Sequence, residues 1–390
     1  MIGHSLVAAL ADQIQAGLQV VILDAAPQLA RNTSASPAFD DRATALSLGT
    51  QRLLEHWGLW STIGHNVTAV NQIEVSEKGA FNTLNMNQEQ SGDDPLGYIV
   101  SNRWLGHCLL KRSQSLPVDI LFDTTVTAIQ FSADCAAIQF GDQQSVTAKL
   151  VVLADGGRSD LAQRLGFATD TKDFHQHAIV ASIETQLPHD HRAFERFTPL
   201  GPMAVLPTTI DQSKRHATLV WSVSPDQADA LVSGSDEHFL ATAQNAFGDR
   251  LGKWLRVSHR VQYPLIRQYR PEQVRSRLVL LGNSAANLHP VAGQGFNLAI
   301  RATSALRDTI IQQTDPGNLQ GLVAYATRIR ADQISVIAFC DRLIDIHEQP
   351  LLQWPRRLSL GILDHHRISK GWFTQFSMGV LPSQQFTRTH

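Results

Sequence analysis

Three glycine-bearing turns in this chain have the residue types and spacing to hold a nucleotide. The first is Gly3, which stands before an amphipathic helix, a link at Gly17, an apolar strand and then Asp24. In a dinucleotide-binding βαβ unit, a glycine at the helix start permits close helix–strand packing. A carboxylate about 20 residues further on accepts hydrogen bonds from ribose hydroxyls. The second is "LADGGRSDLAQRLG", residues 153–166, where an apolar strand delivers Asp155 and Gly156 to a sharp turn and Ser159 opens a helix. The third is "LLGNSAANLHPVAGQGFNLAI", residues 280–300. Here a strand ends at Gly282-Asn283, and His289-Pro290 leads to Gly293-Gln294-Gly295-Phe296-Asn297 and a helix. Free backbone N–H groups with little steric cover suit an anion or an electron-rich ring edge. Taken singly, the first two are equally compatible with an ordinary helix–strand pair and a capped turn. The length of glycine-rich backbone makes a plain tight loop a poorer account of the third.

The elements that must position these turns follow from periodicity. Leu6, Leu10 and Ile14 recur every four residues with Val7 beside them, which predicts a helix over 5–16 with one buried stripe, ended by Gly17. Residues 18–23 form a nearly continuous apolar run, as in a buried parallel strand, and Asp24 ends it. A second helix is predicted over 49–57. The short runs at 73–75, 121–122, 126–129 and 136–140 read as antiparallel strands. Residues 149–156 return to a buried strand entering a glycine turn. "ERFTPLGPMAVLP" and "ATLVWSV" read as two sheet strands. Beyond residue 300 the pattern is helical, broken at Pro350, Pro355 and Pro382.

Composition narrows the classes. A chain of 390 residues suggests two domains, and 43% hydrophobic with 17% charged residues supports a large core. The net charge of −2 lacks the basic excess of a nucleic-acid binder. Cys108, Cys135 and Cys340 stand far apart, which argues against a disulfide framework or zinc site and fits a reducing, cytoplasmic setting. No signal peptide is visible, and no apolar run approaches the ~18 residues of a membrane span. No metal cluster, nucleophile triad or acid pair is evident, so no catalytic side chain is assigned. His289 reads better as a histidine holding the loop before Pro290 than as a base.

The order of the three turns, together with "FDDRATALSLGTQRLLEHWGLW", "AFERFTPLGPMAVLP", "LVWS" and "AFGDRLGK", resembles the flavoprotein aromatic hydroxylases, the group of p-hydroxybenzoate hydroxylase. Within that group it is similar to the ubiquinone-biosynthesis branch, that of the 2-octaprenyl-6-methoxyphenol hydroxylases, over nearly the whole chain. The resemblance implies an α/β fold: an FAD-binding Rossmann-like domain interleaved with a substrate domain on an antiparallel sheet, plus C-terminal helices. It divides the chain into an FAD part (1–70, 98–170, 270–335), a substrate sheet (71–97, 171–269) and a helical segment (336–390).

The resemblance also implies the roles. Gly3 matches the last glycine of the fingerprint and Asp24 the ribose carboxylate. Arg42, in the D-x-R segment with Asp40 and Asp41, matches a contact to the cofactor. Asn102 stands where relatives carry an arginine, with Arg103 adjacent. Asp155 and Gly156 match the DG motif, and Gly282-Asn283 the G-D pair with asparagine for aspartate. Pro290, Gly293, Gly295 and Asn297 match the loop and helix start under the isoalloxazine ring. In this family reduced flavin reacts with O2 to a C4a-hydroperoxide that oxygenates a phenol, with NAD(P)H as reductant. Ala162 stands where members often carry an arginine toward that reductant. The implied partners are a polyprenyl phenol, O2 and other ubiquinone-biosynthesis proteins, with peripheral contact at the inner face of the membrane. Basic and aromatic residues interleave from Leu351 to Phe376 in a way that suits an interfacial helix as well as a packed terminal one. Two alternatives are an FAD-deficient scaffold in the same pathway and a hydroxylase of another phenol. Met1-Ile2-Gly3 aligns with the last three positions of the fingerprint, where a methionine is common. The expectation is therefore a start read at an internal methionine, without the first strand and glycines. A chain so written is expected to bind FAD poorly or fold badly.

Overall fold

The computed structural model describes residues 1–27, 42–80, 83–91, 94–142, 144–288 and 293–348. Pro290, His289, Asp40, Asp41 and everything from residue 349 onward, the basic and aromatic terminal segment included, lie outside them. The chain opens with the helix Ile2–Ala9, and Leu6, Val7, Leu10 and Ile14 are buried, as the four-residue spacing requires. The single helix expected over 5–16 is two. At Leu10 the backbone leaves helical geometry (φ −98°, ψ 13°) and a second helix, Ala11–Gln15, follows. Periodicity registers the continuous apolar stripe and is blind to that break.

The strand Val21–Leu23 runs parallel to Asp119–Leu121. This corrects the antiparallel reading of residues 121–122, because a three-residue apolar run carries no directional signal. Val151–Leu153 runs parallel to Leu278–Leu280, flanked antiparallel by Val274–Arg275. These are separate two- and three-stranded sheets, yet a single core joins them. Leu6, Val7, Leu10 and Ile14 pack with Val20 and Ile22 from the first and Val152, Ala154, Val279 and Leu281 from the second. The helices Gln294–Gln312 and Leu319–Glu348 add Leu306, Leu322 and Tyr325 to it. Each fully buried side chain of this size contributes about 1.5–3 kcal/mol.

The second layer is a nine-stranded sheet. Its order is Ala286–Asn287, Val261–Tyr269, Asp170–Thr185, His216–Val223, Gly201–Thr208, Arg192–Thr198, Gln72–Glu77 and Thr83–Asn87, with Trp254–Val257 also pairing to Asp170–Thr185. Only the contact of Arg192–Thr198 with Gln72–Glu77 is parallel among these pairs. "ERFTPLGPMAVLP", expected as one strand, is a hairpin in which Thr198 pairs with Gly201. At Gly201 (φ +131°) an added Cβ would lie 2.0 Å from the carbonyl oxygen of Ser222, so only glycine lets the neighbouring strand approach.

Alternation splits the residues of this sheet between two faces. Ile179, Phe194, Met203, Val205, Leu219 and Trp221 bury against Phe239 and Phe247 of the covering helix Asp236–Phe247. The other face looks toward the first layer. There Ala193 and Leu206 pack with Ala43, Ala45, Val70 and Ile99, while Phe174, Ala178 and Leu265 pack with Leu298 and Val336. Among the described residues, no helix is long and apolar enough to cross a membrane.

Candidate cofactor and substrate site

The turns at residues 155–157 and 282–284 meet each other and the start of the first helix. Gly282 (φ +66°) lies against Ile2, where a Cβ would come within 3.1 Å of Ile2 Cγ1. Gly157 (φ +71°) would place a Cβ 3.0 Å from the Asn283 carbonyl. Asp155 ties the turns together. It accepts the Gly157 N–H at 2.9 Å, the Ser159 N–H at 3.2 Å, the Ser284 hydroxyl at 2.5 Å and the Ser159 hydroxyl. Burial pushes its pKa up, but these hydrogen bonds outweigh burial and hold it below the ordinary value. Its oxygens are thus occupied in shaping the loop, while the exposed Asn283 side chain faces outward from the second turn. Gly156 takes the left-handed conformation (φ +76°) in the same turn.

Gly3 faces Ala154 with room for a methyl group, since a Cβ would lie 4.0 Å from Ala154 Cβ. Close packing alone therefore does not require that glycine. Asp24 follows the end of its strand, accepting the Ala26 N–H at 2.9 Å. Burial lowers the pKa of the Met1 amino group, Asp24 raises it and Arg158 lowers it, so both charged side chains flank the helix start. Next to it His4, hydrogen-bonded to Ser113 Oγ at 2.9 Å, is pushed down to about 4 by burial and by that amino group. Among the described residues no side chain caps this helix, and its first N–H groups carry the positive end of the helix dipole.

A second helix start is built at Gln294–Gln312. Gly293 takes the left-handed conformation (φ +59°, ψ 25°) and sits on Ala45, where a Cβ would come within 3.1 Å. Buried Asn297 locks the geometry. Its Nδ2 donates to the carbonyls of Ala45 (3.0 Å) and Gly293 (2.9 Å), and its Oδ1 accepts the Ser47 N–H at 2.9 Å. The asparagine expected at the cofactor therefore holds the strand Ala43–Ser47 onto the helix start. Among the described residues, nothing lies within 4 Å of a Cβ built at Gly295. At the other end of that strand, Thr44 Oγ1 donates to Asn102 Oδ1 at 2.5 Å, and the Arg42 carbonyl accepts the Asn102 N–H at 2.8 Å. Arg103 beside it is exposed. The Arg42 guanidinium donates to the Tyr263 hydroxyl and lies 5.6 Å from that ring's centre, linking the first layer to the large sheet.

The residues read from sequence thus fall into two groups. Gly3, Asp24, Asp155, Gly156, Gly282 and Asn283 surround the first helix start; Gly293, Gly295 and Asn297 form the second, with Arg42 and Asn102 at the other end of the strand Ala43–Ser47 that Asn297 holds. Ile2 joins the groups, since it touches Gly282 and also packs in the cluster containing Phe296 and Ile300. The free N–H groups of two helix starts and the Arg42 guanidinium are donors that suit a phosphate-bearing ring cofactor. The residues present fit FAD.

Opposite lies a row that the sequence reading missed. Val75, Glu195, Ala204, Val220 and Val180 pair in register across five strands, on the face turned to the first layer. Glu195, Ala204, Val220 and Val180 keep some accessible surface, whereas Phe194, Val205, Leu219 and Ile179 on the other face are at most 3% exposed. The row is therefore less tightly covered than the opposite face. Ala193, one pleat from Glu195 on that face, packs in the same cluster as Ala45, which touches Gly293. Tyr263, the partner of Arg42, was missed as well. "FERF" gave no alternation signal because a charged residue stands on each face: Glu195 faces the first layer, and buried Arg196 faces the covering helix, donating to Ser76 Oγ and to the Ala246 carbonyl. Among the described residues, no cluster of His, Cys, Asp and Glu is arranged to hold a metal.

Known proteins resemble this chain in sequence and in fold. The sequence profile of the family described as FAD binding domain matches residues 3–334. The chain is 33% identical to ubiquinone hydroxylase UbiL of Rhodospirillum rubrum, over 98% of this chain and 88% of that protein. It is 26% identical to the human mitochondrial ubiquinone biosynthesis monooxygenase COQ6, over 86% of this chain and 81% of that one. Among solved structures, p-nitrophenol 4-monooxygenase PnpA from Pseudomonas putida superposes with a TM-score of 0.77. At 16% identity, covering 97% of this chain and 95% of that one, it shows the shared fold.

Proposed function

The chain belongs to the family of the FAD binding domain, and from that premise we propose that it is an FAD-dependent monooxygenase hydroxylating the ring of a polyprenylated phenol in ubiquinone biosynthesis. The observation that carries this reading is the pairing of two helix starts with an apolar, partly accessible sheet face across from Gly293. The relatives' names supply the substrate class, and the sheet face has the apolar character such a substrate needs.

Gly3, Asp24, Asp155, Gly156, Gly282 and Asn283 are assigned to the nucleotide end of FAD, with the first helix dipole facing its phosphates. Arg42, Asn102, Gly293, Gly295 and Asn297 are assigned to the flavin end, joined by Pro290. Bound and reduced, FAD supplies the activation of O2. The chain's own part is to bind, orient and exclude water. The helix dipole at Gly293–Asn297 favours negative charge beside the ring, Asn297 keeps that backbone in place, and the sheet face holds the phenol in an apolar setting. Within this reading the FAD part comprises 1–70, 98–170 and 270–335, and the substrate part 71–97 and 171–269. NAD(P)H is the assigned reductant. Contact with the membrane surface is assigned to the segment from Leu351 onward, and other proteins of the pathway are further partners.

The test is anaerobic reduction of the FAD-loaded protein by NADPH and NADH, with and without a prenylated phenol, followed by admission of O2. The reading expects a phenol-dependent hydroxylated product. Flavin that reoxidises with the phenol unchanged, for every prenylated phenol tried, would oppose it.

A further inference from the structure

Glu195 is a carboxyl without an assignment. It lies midway along the strand Arg192–Thr198, on the face that looks toward the first layer, paired laterally with Val75 and Ala204. Glu195 is enclosed by protein yet keeps some accessible surface on the less tightly covered face of the sheet, one pleat from Ala193, whose cluster includes Ala45 against Gly293. The neighbours on its row are Val75, Ala204, Val220 and Val180. The nearest ion-pair network, Glu74 with Arg250 and Arg192, belongs to the opposite face. Among the described residues no hydrogen bond or ion pair is made by Glu195, and burial alone raises its pKa, to about 7, with no charged group contributing. A carboxyl in apolar surroundings that makes no bond within the protein is left free to accept one from a ligand.

We propose that Glu195 receives the hydroxyl hydrogen bond of the phenol and accepts its proton, orienting the ring toward the helix start at Gly293. The inference rests on the hydroxylase reading above. In the proton step the phenol O–H bond breaks, an O–H bond to a Glu195 carboxylate oxygen forms, and the electron pair stays on the phenol oxygen, enriching the ring. No oxidant or reductant enters this step. A carboxylate on an apolar face selects a neutral donor over an anion, so a free hydroxyl is what it discriminates.

The probes are 2-(3-methylbut-2-enyl)phenol and its methyl ether, titrated by flavin difference absorbance into the FAD-loaded wild type and the Glu195→Gln and Glu195→Leu variants. The wild type should bind the phenol roughly tenfold or more tightly than the ether. Glu195→Leu should bind both alike. Glu195→Gln, which keeps an acceptor but no base, should retain part of the preference and lose the pH dependence of bound-phenol ionisation, read from phenolate absorbance. Glu195→Leu with an intact preference would overturn the assignment. If the wild type binds neither probe, the phenol reading itself fails. Circular dichroism and retained FAD identify folded variants, and Glu195→Gln, nearly isosteric, carries the test if the leucine variant does not fold.

Discussion

Replacing Glu195 by glutamine should stabilise the protein, and increasingly so as pH rises. A carboxyl raised from its ordinary 4.5 to about 7 by burial corresponds to roughly 3 kcal/mol between its protonated and ionised forms. Because the folded-state pKa lies above the unfolded one, the folded chain holds the proton more tightly. The associated stability is fully present below about pH 4.5 and is lost as pH rises through about 7. The amide of glutamine does not titrate. The difference in unfolding free energy between Glu195→Gln and wild type should therefore be small at pH 5 and grow by about 1–3 kcal/mol by pH 8, the upper figure being a ceiling because water reaches part of the carboxyl. Urea denaturation at several pH values in one buffer system measures it. A difference that stays flat across this range would refute the reasoning, because the carboxyl would then be solvated or paired in the folded state.

Three further outcomes follow from the geometry. Asn297→Ala leaves the Ser47 N–H and the Ala45 and Gly293 carbonyls without their side-chain partner; it should cost about 2–4 kcal/mol in chemical denaturation and lower the flavin retained on purification. Gly282→Val forces a β-branched residue to φ +66° against Ile2 and should lose at least ~2 kcal/mol by the same assay, whereas an unchanged midpoint would contradict the close approach. Arg42→Ala removes an exposed contact to Tyr263, so stability should move by less than about 1 kcal/mol while FAD affinity, followed by fluorescence quenching, falls.

Much of the fold was legible because its signals are local. Leu6, Leu10 and Ile14 announced a buried helix stripe, and the run ending at Asp24 announced a strand, though only Val21–Leu23 pairs and it is exposed to half-buried rather than buried. Direction and pairing were less legible. Nothing in Ile120-Leu121 distinguishes a parallel neighbour from an antiparallel one, since that depends on a partner about a hundred residues away. The turn at Pro199-Leu200-Gly201 lay inside what read as a single apolar strand. At the site, glycines at chain turns were visible because positive φ and close approach restrict residue type. The tasks of the polar residues were not visible. Asp155 and Asn297 spend their hydrogen bonds on the protein, and Glu195 became conspicuous only when alternation placed it on an apolar face.

The central claim is that this chain holds FAD between two helix starts and a sheet that presents a phenol to it. Its most direct test is turnover of the FAD-loaded protein with a polyprenyl phenol and NADPH under isotopically heavy dioxygen, with the product weighed by mass spectrometry. The account predicts one heavy oxygen atom on the aromatic ring. A product carrying oxygen from water, or a phenol recovered unchanged while the flavin cycles, would contradict it.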